Sequence, residues 1–153
     1  MMRFRAALES TQIVLDLEAA TLVEAIRKLA ETLRADPRVG SWRELVGVWE
    51  GKGGEHVIPI RTGVAFIHVR TKAVSDLVMS FARLHTPVRD HDELIHFIVL
   101  MAIPLAVDAR YARLVGTLMR VLRNERFCEA FYDAKRPEDV LAVLERAEVS
   151  LAS

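Results

Sequence analysis

Gly63-Val64-Ala65-Phe66-Ile67-His68-Val69-Arg70 is the stretch on which the reading of this chain turns. It is apolar, β-branched and aromatic, follows Pro59, opens on Gly63, and so predicts a buried strand rather than a turn of helix. Alternation sends Phe66 and His68 to one face and Ala65, Ile67 and Val69 to the other. Arg70 shares the parity of His68, so its guanidinium can lie beside the imidazole. A histidine placed in such a strand has either a hydrogen-bond partner or a task.

Upstream, Gln12 to Leu17 alternates, with Ile13, Leu15 and Leu17 on one side and Asp16 on the other, which predicts a half-buried strand. Thr21-Leu22-Val23-Glu24 is a capping box for a helix carrying Leu22, Ile26, Leu29 and Leu33 and ending near Arg34. Ser41-Trp42-Arg43-Glu44 opens a shorter helix that runs out at Gly51, and Gly51-Lys52-Gly53-Gly54 predicts an exposed loop. Apolar runs near Val57–Ile60, Val64–Val69, Leu77–Leu84 and Ile95–Ile103 predict strands of one sheet. Downstream, Asp108 caps a helix with Tyr111, Leu114, Val115, Leu118 and Leu122, and Asn124 caps one with Phe127 and Phe131. Pro137 starts a last helix through Val140, Leu141 and Leu144. Capped helices outside and apolar runs within imply an α/β fold, a mixed buried sheet flanked by helices on both faces, in one domain over residues 1–153.

Hydrophobic residues make up 52% of the 153, enough for a real core. The 21 basic and 21 acidic residues cancel, and the basic ones are spread along the chain, so no nucleic acid or anionic membrane is expected as a partner. The single Cys128 fits a reducing compartment, and the longest apolar stretch, Phe97 to Val107, is too short to cross a bilayer and is broken by Pro104. The N-terminus lacks the apolar core of a signal peptide, so a cytoplasmic protein without membrane insertion is expected. His56, His85, His91 and His96 match no metal-site spacing and read as surface or strand residues. Gly51, Gly53 and Gly54 lack the lysine-serine ending of a nucleotide loop, so neither metal nor cofactor is expected. Asp90, Asp92 and Glu93 read as a solvated loop rather than a catalytic carboxylate pair.

The histidine strand resembles the active-site strand of the enzyme IIA domains of the bacterial phosphotransferase system, in their mannitol/fructose and nitrogen-regulatory class. That family's motif reads Gly-x-Ala-x-Pro-His-Gly-Arg/Lys. The order of elements is also similar to that family from about Ala7 to Ala147, including Glu18-Ala19-Ala20-Thr21, Ala82-Arg83-Leu84 with Pro87-Val88, Phe97 through Pro104, and Arg123-Asn124-Glu125-Arg126-Phe127. The resemblance implies that His68 accepts a phosphoryl group, with Arg70 as a phosphate-binding cation and Tyr111 where the family has a second histidine. Arg61 and Lys52 are candidates for a second cation. Ile67 replaces the family's proline and Val69 its glycine, so the strand here should run straighter; a Ser-Thr pair of the family falls on Val57 and Ile58.

Phosphoryl transfer to histidine needs a neutral nitrogen lone pair, a second nitrogen held by an acceptor, and positive charge or donors around a loose transition state. The implied function is a phosphocarrier, charged by an HPr-type phosphohistidine carrier and discharged to a transporter IIB subunit or used to mark a regulated protein. A short chain with no transporter domain attached leans toward the nitrogen-regulatory kind. Two other readings stay open. One is a non-catalytic binding module of the same fold, favoured by Ile67, Val69 and Tyr111; the other is an unrelated α/β domain with a structural His68.

Overall fold

The computed structural model describes residues 2–52 and 63–151. Its strands are β1 (Ile13–Leu17), β2 (Val64–Arg70), β3 (Val78–Asp90) and β4 (Glu93–Ile103), hydrogen-bonded in the order β1-β3-β4-β2. β1 runs parallel to β3 and β2 parallel to β4, while β3 and β4 are antiparallel. The sheet is therefore mixed, as expected.

The helices are α1 (Phe4–Ala7), α2 (Leu22–Ala30), α3 (Trp42–Lys52), α4 (Ala109–Arg123), α5 (Glu125–Asp133) and α6 (Pro137–Ser150). Helices α2 and α3 bury Ile26, Leu29, Leu45 and Trp49 against Ala65, Ile67 and Val69 of β2. On the other face α1, α4, α5 and α6 bury Phe4, Leu118, Phe131 and Leu144 in one cluster with Val64 and Phe66. Strand parity explains this division, because successive β2 residues feed opposite cores. The N-caps stand where the sequence puts them: Thr21 accepts from Glu24 N, Asp108 from Arg110 N, and Asn124 from both Arg126 N and Phe127 N. Pro137 occupies the first turn of α6.

Three expectations change. Ile13 and Leu15 join the first-described parity with the α4–α6 core, but Leu17 packs with α2 instead, because the register to β3 shifts between Val14 and Leu17. The Asp90–Glu93 segment is no open loop: β3 continues to Asp90, His91 takes a positive φ of 55° in the turn, and Asp90 pairs with Glu93. Pro87 is tolerated in β3 because it falls in the register break between Arg83 and Val88, where no ladder rung needs its missing N–H. Gly51 and Lys52 complete α3 rather than open a loop. Gly53, Gly54, the Val57–Ile60 run, His56 and Arg61 lie outside the described residues.

Candidate functional site at the carboxyl ends of two parallel strands

β2 and β4 stay in register from the Val64–Phe97 pair to Arg70–Ile103, so both strands end at one rim of the sheet. The carboxyl ends of parallel strands are where an α/β sheet opens a crevice, since the chain leaves there for its next helix. Here the chain leaves β4 through Pro104 to Val107 and turns into α4 at Asp108. Between β2 and α4 lies a cavity of about 720 Å³, whose walls include His68, Arg70, Ile103, Val107, Tyr111 and Met119. His68, Arg70 and Tyr111, separated widely in sequence, thus border one space.

His68 is half-buried while both its strand neighbours, Ile67 and Val69, are buried in the α2–α3 core. Its ring meets that of Phe66 edge-on, with centroids 5.2 Å apart and planes at 64°. Phe66 is wholly buried, so the imidazole rests on a fixed aromatic floor. Behind this position Trp49 Nε1 donates to the carbonyl of Met101, the β4 partner of His68, at 3.3 Å. That bond ties α3 to the strand supporting the site.

Arg70 is exposed, and its Nη2 donates to the carbonyl of Leu105. The guanidinium therefore bridges the end of β2 to the loop that forms the cavity's far wall. Tyr111 is buried, and its hydroxyl donates to Asp76 Oδ1 at 2.9 Å. Burial, and after it the bond to Asp76, push the Tyr111 phenol above the usual tyrosine range. Asp76 has no signal in the sequence. It sits in the loop after the histidine strand, and only the packing of α4 over that loop brings it to Tyr111. Arg61 and the side chain of Lys52 lie outside the described residues.

The basic residues are also less evenly spread than the sequence suggests. Helix α4 holds Arg110, Arg113, Arg120 and Arg123 and no carboxylate. Arg110 folds back onto Asp108, with Nη2 2.6 Å from Oδ2, and this pairing holds the Asp108 carboxyl below its ordinary range. Among the described residues no cluster of histidine, cysteine or carboxylate side chains could hold a metal, and no helix is long and apolar enough to cross a membrane.

A family model for the EIIA 2 component of the phosphoenolpyruvate-dependent sugar phosphotransferase system matches residues 6–147. The chain belongs to this family. No curated protein sequence matches the chain significantly. Among solved structures, the EIIA domain is similar to the nitrogen regulatory protein IIA-Ntr of Neisseria meningitidis, with a TM-score of 0.78 and 19% identity over 92% of this chain and 98% of that one. A putative phosphotransferase-system IIA protein of Streptococcus mutans gives a TM-score of 0.72 and 22% identity, covering 97% of each chain. The mannitol IIA of Escherichia coli, in complex with phosphorylated mannitol IIB, gives 0.66 and 18% over 91% of this chain and 97% of that one. At these identities the likeness establishes the fold of the EIIA domain. The roles of His68 and its neighbours rest on the chemistry of the cavity.

Proposed function

We propose that this EIIA domain is a phosphocarrier whose acceptor is His68, charged by the phosphohistidine of an HPr-type carrier. The observation that carries the reading is the convergence of His68, Arg70 and Tyr111 on one cavity at the ends of β2 and β4. In the transfer the donor's P–N bond breaks as the bond from phosphorus to a His68 nitrogen forms. The proton released from the second nitrogen of His68 balances the one taken up by the departing imidazole. Phe66 holds the ring plane during this exchange, and Arg70 supplies charge to the equatorial oxygens of the loose transition state. Tyr111 is a third phosphate contact, its hydroxyl turning from Asp76 to a phosphate oxygen. Arg61, close before the histidine stretch in the sequence, is proposed as a further cation. The phosphate then passes to a transporter IIB subunit, for which the Escherichia coli IIA–IIB complex is the precedent, or marks a regulated protein in nitrogen control.

One observation favours a second reading. The ladder from β2 to β4 runs unbroken past His68, with no turn baring the imidazole's backbone, as Ile67 and Val69 imply. A straight strand of this kind suits a binding module in which phosphorylation is weakened or lost. Incubation with a phosphorylated HPr-type carrier separates the two. The phosphocarrier yields one adduct, labile to acid and stable to alkali, that His68→Ala abolishes and that His56→Ala, His85→Ala, His91→Ala and His96→Ala leave intact. No adduct on the folded protein decides for the binding module.

A further inference from the structure

We propose that phosphorylation of His68 draws the hydroxyl of Tyr111 from Asp76 to a phosphoryl oxygen and so frees the loop of residues 71–77 from α4. A second segment, residues 36–41, is strapped to that loop and loosens with it. The inference rests on the phosphocarrier reading and adds a consequence of the charged state. A phenol has a single O–H to donate, and here Asp76 Oδ1 receives it at 2.9 Å. Among the described residues no other hydrogen bond joins this loop to α4. Tyr111 borders the His68 cavity, whereas Asp76 is not part of its wall. The hydroxyl therefore stands between two anionic acceptors, the carboxylate behind it and, in the charged protein, the phosphoryl group before it. The phosphoryl group offers more oxygens and more negative charge than one carboxylate, so the exchange favours it. Asp76 is half-buried, and water can replace the phenol once it leaves.

On its other side the loop carries residues 36–41. Ala73 O accepts from Gly40 N at 2.7 Å, Ser75 N donates to Arg38 O at 2.8 Å, and Val74 bridges to Val39. Arg38 Nη1 donates to Leu77 O at 3.3 Å and to Ala6 O at 2.6 Å, so the same guanidinium reaches α1. These bonds depend on where the loop lies, and Tyr111 pins it from the α4 side. A loop released there lets the strap open more often. One end of a short loop thus meets the charge state of His68, and the other orders a segment whose Pro37 and Gly40 are exposed. None of residues 36–41 lines the cavity, so the change reaches the surface elsewhere.

Amide exchange at Gly40 and Ser75, followed by NMR in the full chain, reads the strap, and intact mass reads phosphoryl occupancy. In the unphosphorylated protein Tyr111→Phe should speed both amides about fivefold, the loss of one hydrogen bond, and leave the Ile26 and Leu29 amides of α2 unchanged. Asp76→Ala, which removes the acceptor and keeps the buried ring, should do the same. Phosphorylation of wild type by an HPr-type carrier should produce a similar rise that reverts as the phosphoryl group hydrolyses. Tyr111→Phe at the same occupancy should show no further rise, a dependence on state that a merely structural tyrosine would not produce. Phosphorylated wild type with unchanged exchange, or an equal rise in phosphorylated Tyr111→Phe, overturns the inference and leaves the phosphocarrier reading standing. A folded wild type that takes no phosphoryl group overturns that reading, and the trigger proposed here with it.

Discussion

The hydroxyl of Tyr111 donates to Asp76 Oδ1 across 2.9 Å, joining the first turn of α4 to the loop that leaves the His68 strand. Burial is the larger cause of the raised phenol pKa and Asp76 the next. In Asp76→Asn the Tyr111 titration should therefore move back toward the ordinary tyrosine value without reaching it. A raised phenol stabilises the fold fully below its ordinary value, and that contribution is lost as pH climbs through the folded value. Phenolate absorbance against pH in wild type, Asp76→Asn and Tyr111→Phe assigns the transition, because the only other tyrosine is Tyr132. Tyr111→Phe removes one hydrogen bond and should slow phosphoryl transfer to His68 by about threefold to tenfold, the effect of about 1 kcal/mol.

Arg70 is both a cation at the cavity and a tether, through its bond to the Leu105 carbonyl. Arg70→Ala should cut the transfer rate by roughly tenfold to a hundredfold, since charge on the transferring group goes uncompensated. Stability should change by less than about 0.5 kcal/mol, because the side chain is exposed. Arg70→Lys should recover part of the rate, keeping the charge and losing the planar fork that can serve a phosphate oxygen and the Leu105 carbonyl together. Single-turnover transfer from a phosphorylated carrier, with denaturant midpoints alongside, reads both quantities.

The strand parity of Val64 to Arg70 was legible because a period of two admits only one division between two cores, and the structure divides these residues that way. The caps at Thr21, Asp108 and Asn124 were legible because a side-chain oxygen serving an orphan amide is a local event. Leu17 was not, since its face depends on a register shift against β3, a strand far along the chain. Asp76 was hidden for the same reason: its partner Tyr111 is 35 residues away. The short helix at Phe4 escaped notice because four residues carry no period to read.

Arg83 holds the end of α5 in place. From β3 its Nη1 donates to the carbonyls of Phe131 at 2.9 Å, Tyr132 at 3.1 Å and Ala134 at 2.6 Å, and its Nε donates to Leu15 O at 3.1 Å. The three carbonyls bound by Nη1 lie at a helix end, where the guanidinium supplements the one backbone bond there, from Ala134 N to Phe131 O at 3.4 Å. Arg83→Met should destabilise the domain by about 2–3 kcal/mol. Amide exchange should quicken in the last turn of α5 well beyond its increase in α2. Arg83→Lys should recover less than half of the loss, because an ammonium cannot reach β1 and the helix end together.

Asp36 makes the domain sensitive to acid. Oδ1 accepts from the backbone N and Nε of Arg38, both at 2.9 Å; Oδ2 accepts from Arg38 Nη2 at 2.7 Å and Gln12 Nε2 at 2.6 Å. Arg38 also donates to the Ala6 carbonyl at 2.6 Å, so the pair anchors α1. The hydrogen bond from Arg38 is the main cause that lowers the Asp36 carboxyl from 3.8 to about 2. A carboxyl depressed by folding adds stability fully present above its unfolded value, and that stability is lost as pH falls through the folded one. The contribution here is about 2 kcal/mol, disappearing between roughly pH 4 and pH 2. Urea unfolding across that interval should show wild type losing this increment. Asp36→Asn should be less stable by at least that amount at neutral pH, with Arg38 left half-paired, and should show a flatter acid limb. The two proteins should converge near pH 2. A gap that stays undiminished there would place the acid sensitivity in another carboxylate.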